Sequence, residues 1–175
     1  MNLAFTNKNI PIAFFQIGEN VQANTGVTSN AAAKYFIADH TQNHLDSTFA
    51  STNVKAQADQ AQTAIFNVIG KRPQILRPPY GAYNAAAMTT WFNNGYYVVN
   101  WSVDTNDWRA GSSKASVLAE VDAVLNADST SGHIILSHDI HRPSLDAFPE
   151  IVKRFTDKGY TFVDIETCLG IKAYK

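Results

Sequence analysis

Tyr35-Phe36-Ile37-Ala38-Asp39-His40-Thr41-Gln42-Asn43-His44 is the stretch that decides the fold. Its first four residues form a short, continuously apolar run, as expected of a strand covered on both faces. Chemically capable residues follow at once. The same order recurs along the chain. Strands are expected at 12–17, 35–38, 74–77, 96–103, 133–137 and 161–165. The segments between them carry helical spacing. Val54, Ala58, Ala61, Ile65 and Val68 make one stripe, and Gly70 is a fitting stop. Asn84 caps a helix with Met88, Trp91 and Phe92, ended by Gly95. Ser113 precedes a third with Val117, Val121, Val124 and Leu125, and a fourth holds Phe148, Ile151, Val152 and Phe155 before Gly159. Strand-helix alternation predicts an α/β fold with a parallel sheet, open or closed into a barrel. The chemistry then belongs at the C-terminal strand ends. Ahead of Pro11, residues 2–9 read as the end of a helix.

Composition narrows the classes. The 175 residues suit one domain, 1–175, and no repeat, low-complexity tract or linker divides them. Apolar residues are 45% and charged residues 17%, too apolar for a disordered chain. A net charge of -1 gives no basic surplus for nucleic acid. No apolar run approaches the roughly 20 residues of a membrane span. The first residues lack the basic and apolar regions of a signal peptide. One cysteine, Cys168, excludes an internal disulfide framework.

Four strand ends carry candidate chemistry. His40 and His44, four apart, would lie on one face of a helical turn and ligate one metal; two solvated surface histidines are the plain alternative. In Arg77-Pro78-Pro79-Tyr80-Gly81 two prolines fix the backbone and Gly81 lets it turn. That rigid turn either sets an arginine and a backbone N–H in place or is structural only. Trp101 to Trp108 offers two carboxylates, Asp104 and Asp107, and two indoles at a strand end; the carboxylates pair with Arg77 or orient a histidine, or the stretch is a capped, solvated loop beside core aromatics. His138, after Leu136, is a natural general acid or a structural histidine. His133 and His141 read as bystanders.

Taken together and in order, HTxxH, RPPYG, DxxDW and LxH resemble the polysaccharide deacetylase family, the NodB-homology proteins of carbohydrate esterase family 4. Ile10 to Gly18 and Gly159 to Val163 resemble the family's first and last flanking strands, so the likeness spans nearly the whole chain. The resemblance implies a distorted parallel (β/α) barrel. It also implies a metal-dependent hydrolase that removes acetyl groups from N-acetylglucosamine units of a polysaccharide such as chitin. His40 and His44 match metal ligands, usually for zinc. Tyr80 matches the residue whose backbone N–H meets the oxyanion. Arg77 matches the arginine that orients the base, and Asp107 a carboxylate that supports the acid or the arginine. Trp108 matches a pocket wall, Leu136 the lining of the acetyl-methyl pocket, and His138 the acid that protonates the leaving amine.

The family's opening TFDDG motif, with the base and the third metal ligand, is not found. A barrel lacking its first strand is therefore expected, with a separate N-terminal segment or strand donor as partner. Asp39 and Asp46 are the nearest substitute carboxylates, although the family usually has Asn at the Asp39 place. The alternatives are a degenerate member that binds glycan without hydrolysing it, stacking sugars on Trp101, Trp108, Tyr80 and Tyr83, and a structural remnant with no site. The ending Glu166 to Gly170 resembles fungal chitin deacetylases, in which a cysteine at this place pairs with one ahead of TFDDG; a free buried thiol is the other reading of Cys168. The family's substrates imply an extracellular or cell-wall location.

Overall fold

The computed structural model describes residues 10–175. The expected helix end at 2–9 lies outside them. The chain divides into two compact units, one of 11–100 with 163–175, the other of 101–162.

In the first unit, β1 (Ala13–Gln16), β2 (Phe36–Asp39), β3 (Ile75–Leu76) and β4 (Tyr97–Val98) form a parallel sheet in that order. The helices are α1 (Gly18–Ala23), α2 (Thr25–Ala32), α3 (Val54–Ile69) and α4 (Ala85–Asn93). The stripe expected on α3 is real. Ala58, Ala61 and Ile65 are buried, and Gly70 closes the helix in the left-handed region at φ 68°. Ala64 and Ile65 pack with Val21, Ala31 and Ile37, while Ala58 joins Leu76, Ala87, Trp91 and Tyr96. One helix thus covers two parts of the sheet. The C-terminal segment returns to this unit. Tyr174 hydroxyl accepts the Ile37 N–H at 3.0 Å, and Gln74 N–H donates to the Ala173 carbonyl at 2.8 Å.

In the second unit, β5 (Val103–Asp104) pairs in parallel with β6 (Ile135–Leu136). Helices α5 (Lys114–Ala127) and α6 (Arg142–Asp157) supply its core, in which Val117, Val121 and Leu125 meet Ala147, Ile151 and Phe155. Ser113 and Ser116 cap α5 reciprocally.

Two strand expectations change. The run 96–103 yields two short strands, one in each unit, rather than one. The run 161–165 is no strand. Asp164 instead caps α7 (Ile165–Leu169), its carboxylate accepting the Thr167 N–H at 2.7 Å. That cap satisfies a helix-start donor locally, which a strand at this place would leave to a partner. Cys168 lies on α7 with its thiol exposed, not buried. Among the described residues no helix is long and apolar enough to cross a membrane.

Candidate functional site

Strand β2 ends at Asp39 and delivers His40 into a loop. The loop is not the helical turn expected from the spacing. Thr41 (φ 64°) and His44 (φ 55°) sit in the left-handed region and reverse the chain twice. The reversals still bring the two imidazoles together, edge to face at 4.8 Å between ring centres, with His44 against the Tyr80 ring at 4.6 Å. His40 Nδ1 lies 2.7 Å from the Arg77 carbonyl. A carbonyl only accepts, so Nδ1 carries the proton and Nε2 of the neutral ring keeps its lone pair. This is how a second partner orients a ligating histidine.

The loop is tied to the start of α1. Gly18 N–H donates to the Thr41 carbonyl at 2.9 Å and Glu19 N–H to the Gln42 carbonyl at 3.0 Å. Gln57 on α3 brackets Asn43, accepting its N–H at 2.9 Å and donating to its side-chain oxygen at 3.1 Å.

Neither nearby carboxylate completes the pair. Asp39 is fully buried; one oxygen accepts the Thr41 N–H at 2.8 Å and the other meets no hydrogen-bond partner. Burial pushes its pKa well above the usual range, against the Thr41 N–H and with the charge of Asp59 adding to the rise. Asp46 is engaged with the N–H and hydroxyl of Thr48, which lower its pKa. Among the described residues no three His, Cys, Asp or Glu side chains form a metal cluster. His40 and His44 fit a divalent metal as two of its ligands; a third protein ligand does not come from the described residues.

The second turn follows β3. The Arg77 guanidinium is buried over the Phe15 ring, 3.9 Å from its centre, and Nε donates to the Val99 carbonyl at 3.4 Å. Burial lowers its pKa to about 10. Pro79–Gly81 is a single 3₁₀ turn in which Tyr80 (φ 59°) and Gly81 (φ 66°) are both left-handed, and Tyr80 is 68% exposed. Asn100 clamps the turn by donating to the Gly81 carbonyl at 3.1 Å.

The remaining motifs belong to the second unit. Asp104 accepts the Asn106 N–H at 2.8 Å and the Trp108 indole N–H at 3.4 Å. This holds Trp108 at the surface, with Arg109 over its ring. Asn106 is left-handed at φ 50°, which turns Asp107 inward. The Asp107 side chain is fully buried. One of its oxygens lies 2.8 Å from His138 Nδ1; the other accepts the His138 N–H at 2.7 Å and the Ser144 hydroxyl. Burial raises the Asp107 pKa, but the bonds from His138 and Ser144 outweigh it and the net shift is downward. Leu136 is buried in β6, two residues before His138.

His133 is a clamp at the other end of β6, bonded to the Asp128 carbonyl at 3.1 Å and to Ser102 at 3.2 Å. His141, read as a bystander, sits beside His138, its ring edge-on to it at 5.6 Å. The contact missed from sequence is Ser144, whose partner Asp107 lies 37 residues away along the chain. Thr41, His44, Tyr80 and Asn106 are the positive-φ non-glycine residues among those described, and all four fall within three of the four strand-end motifs. Such conformations cost of order 1–3 kcal/mol each and concentrate where function fixes the backbone.

A family model for polysaccharide deacetylases matches residues 4–99. The peptidoglycan-N-acetylglucosamine deacetylase PgdA of Listeria monocytogenes serotype 1/2a (strain 10403S) is 32% identical over 169 residues, covering 94% of this chain and 34% of that protein. The chitin deacetylase of Pestalotiopsis sp. is 30% identical over 171 residues, covering 94% of this chain and 57% of that protein. The chain therefore spans a third to somewhat over half the length of these relatives. The crystal structure of the Bc1960 peptidoglycan N-acetylglucosamine deacetylase has a TM-score of 0.87 at 24% identity, covering 98% of this chain and 81% of that one, a likeness of fold. By its motifs, its fold and the family model that spans more than half of it, this chain belongs to the polysaccharide deacetylase family.

Proposed function

We propose that this chain acts in the metal-dependent hydrolytic removal of acetyl groups from N-acetylglucosamine units of a polysaccharide, with chitin as substrate. The observation that carries the reading is the buried Asp107 carboxylate on His138 Nδ1, which fixes the ring tautomer. Held this way, His138 turns Nε2 to the substrate and delivers the proton that the leaving amine needs. His40 and His44 would hold a divalent metal, zinc in this reading, which supplies Lewis-acid polarisation of the acetamide carbonyl and of water. The Tyr80 N–H, set by the left-handed turn, donates to the developing oxyanion. Arg77 keeps a buried positive charge for the carboxylate base. Leu136 lines the acetyl-methyl pocket and Trp108 offers an indole face to the sugar. The polysaccharide places the work outside the cell or in its wall.

A second reading is a glycan-binding member without hydrolysis. It is favoured by the lack of a third metal-ligating side chain beside His40 and His44 among the described residues.

The test is acetate release from chitin oligosaccharide and from peptidoglycan with zinc supplied, alongside a metal count. Acetate release from chitin supports the first reading, with His138→Ala cutting turnover about 100-fold or more and leaving metal bound. His40→Ala should lose metal and activity together. Loss of metal in His138→Ala overturns the acid assignment. Release from peptidoglycan alone moves the substrate. Binding of either glycan without acetate supports the second reading.

A further inference from the structure

We infer that Ser144 is a positioning residue that holds the Asp107 carboxylate in register with His138. The two Asp107 oxygens divide their work. One faces His138 Nδ1 at 2.8 Å; the other takes two donors, the His138 N–H at 2.7 Å and the Ser144 hydroxyl. A carboxylate gripped twice on one oxygen cannot rotate without losing both bonds, so the other oxygen stays on the imidazole. Ser144 is suited to this by place. It is fully buried on the first turn of α6, where no water competes for its hydroxyl. A serine there ordinarily bonds within its own helix; this one reaches 37 residues back along the chain to Asp107. The N-terminal turn of α6 also favours the negative charge. The inference rests on the reading of His138 as proton donor, and its main readout does not depend on turnover.

The experiment is NMR of the 175-residue chain labelled with ¹⁵N-histidine, with His138→Gln used to assign the His138 Nδ1–H resonance. In the unaltered chain this proton should be shifted downfield and protected from exchange. Ser144→Ala should exchange it about tenfold faster or more, the effect of one lost bond to a charged group. Ser144→Thr, which keeps the hydroxyl, should restore protection. A folded Ser144→Ala chain with unchanged exchange overturns the inference. Should Ser144→Ala not fold, Ser144→Cys, a weak donor of similar size, is compared with Ser144→Thr. Faster exchange in the cysteine variant supports the inference and equal rates overturn it. Acetate release is measured on the same proteins, with kcat expected to fall in Ser144→Ala while KM holds. Ser144-dependent exchange in a chain that releases no acetate leaves the positioning role standing and removes the deacetylase reading. Acetate release with Ser144-independent exchange removes the positioning role alone.

Discussion

A methyl group at position 18 would lie 2.8 Å from the Ala61 Cα and 2.1 Å from the Gln42 side-chain oxygen. The first neighbour is helix backbone and cannot turn aside. The second belongs to the histidine loop, whose Thr41 and Gln42 carbonyls receive the Gly18 and Glu19 N–H groups. Gly18 is therefore the point at which α1, α3 and the loop carrying His40 and His44 come together. Gly18→Ala should destabilise the chain by roughly 1–3 kcal/mol through overpacking. It should also move the His40 and His44 ring resonances, while leaving His138 unchanged. Thermal unfolding and histidine NMR check both halves, and a stable variant with unshifted rings would refute the account. At this scale the sequence exposed the reactive residue types, because histidines, an arginine and carboxylates stand out at strand ends. It did not expose Gly18 or Ser144. Close approach and a bond across 37 residues depend on tertiary neighbours that spacing cannot show.

Asn84 does two jobs at the scale of elements. Its side-chain oxygen accepts the Ala87 N–H at 2.9 Å and caps α4; its amide nitrogen donates to the Thr48 carbonyl at 3.3 Å, in the loop after His44. The substitutions separate the two. Asn84→Ala should cost about 1 kcal/mol or more, as lost caps do. Asn84→Asp keeps the cap but turns a donor into an acceptor facing a carbonyl. It should hold the stability of α4 while loosening the loop. Denaturant midpoints read the first effect and amide exchange at Thr48 to Thr52 the second; exchange in Asn84→Asp equal to that of the unaltered chain would undo the assignment. The caps and stripes of α3, α4 and α5 were legible because they follow local rules. Helices α1 and α2 were not. In α2 only Thr28 and Ala31 are buried, too few apolar positions to make a stripe. The run 161–165 misled for the opposite reason. It is apolar enough for a strand, but the Asp164 cap commits the chain to a helix at the next residue. The histidine spacing predicts a helical turn, yet two left-handed residues achieve the same meeting of rings.

Over the whole molecule, two buried aspartates pull stability in opposite directions with pH. Asp107 has its pKa lowered by its partners. Its contribution is present above the unfolded value, near 4, and disappears as pH falls through the folded one. Asp39 has its pKa raised, chiefly by burial. The folded chain then binds a proton there that the unfolded chain has released. Below about pH 4 both states hold it and there is no penalty. Above that, stability declines as pH rises, by at most about 1.4 kcal/mol per pH unit, until the folded pKa is passed. An asparagine at position 39 keeps an acceptor for the Thr41 N–H, which Asp39 receives at 2.8 Å, and carries no titrating proton. Asp39→Asn should therefore match the unaltered chain near pH 4 and exceed it increasingly as pH rises above that. Urea unfolding at each pH measures the gap. A gap that stays constant would mean that Asp39 titrates alike folded and unfolded. A gap that opens toward low pH would mean that its carboxylate is held charged by a partner. Because Asp39 immediately precedes His40, the same series carries a functional readout. If the neutral acid serves only to satisfy the loop, zinc binding by the Asp39→Asn variant should equal that of the unaltered chain at every pH where both are folded.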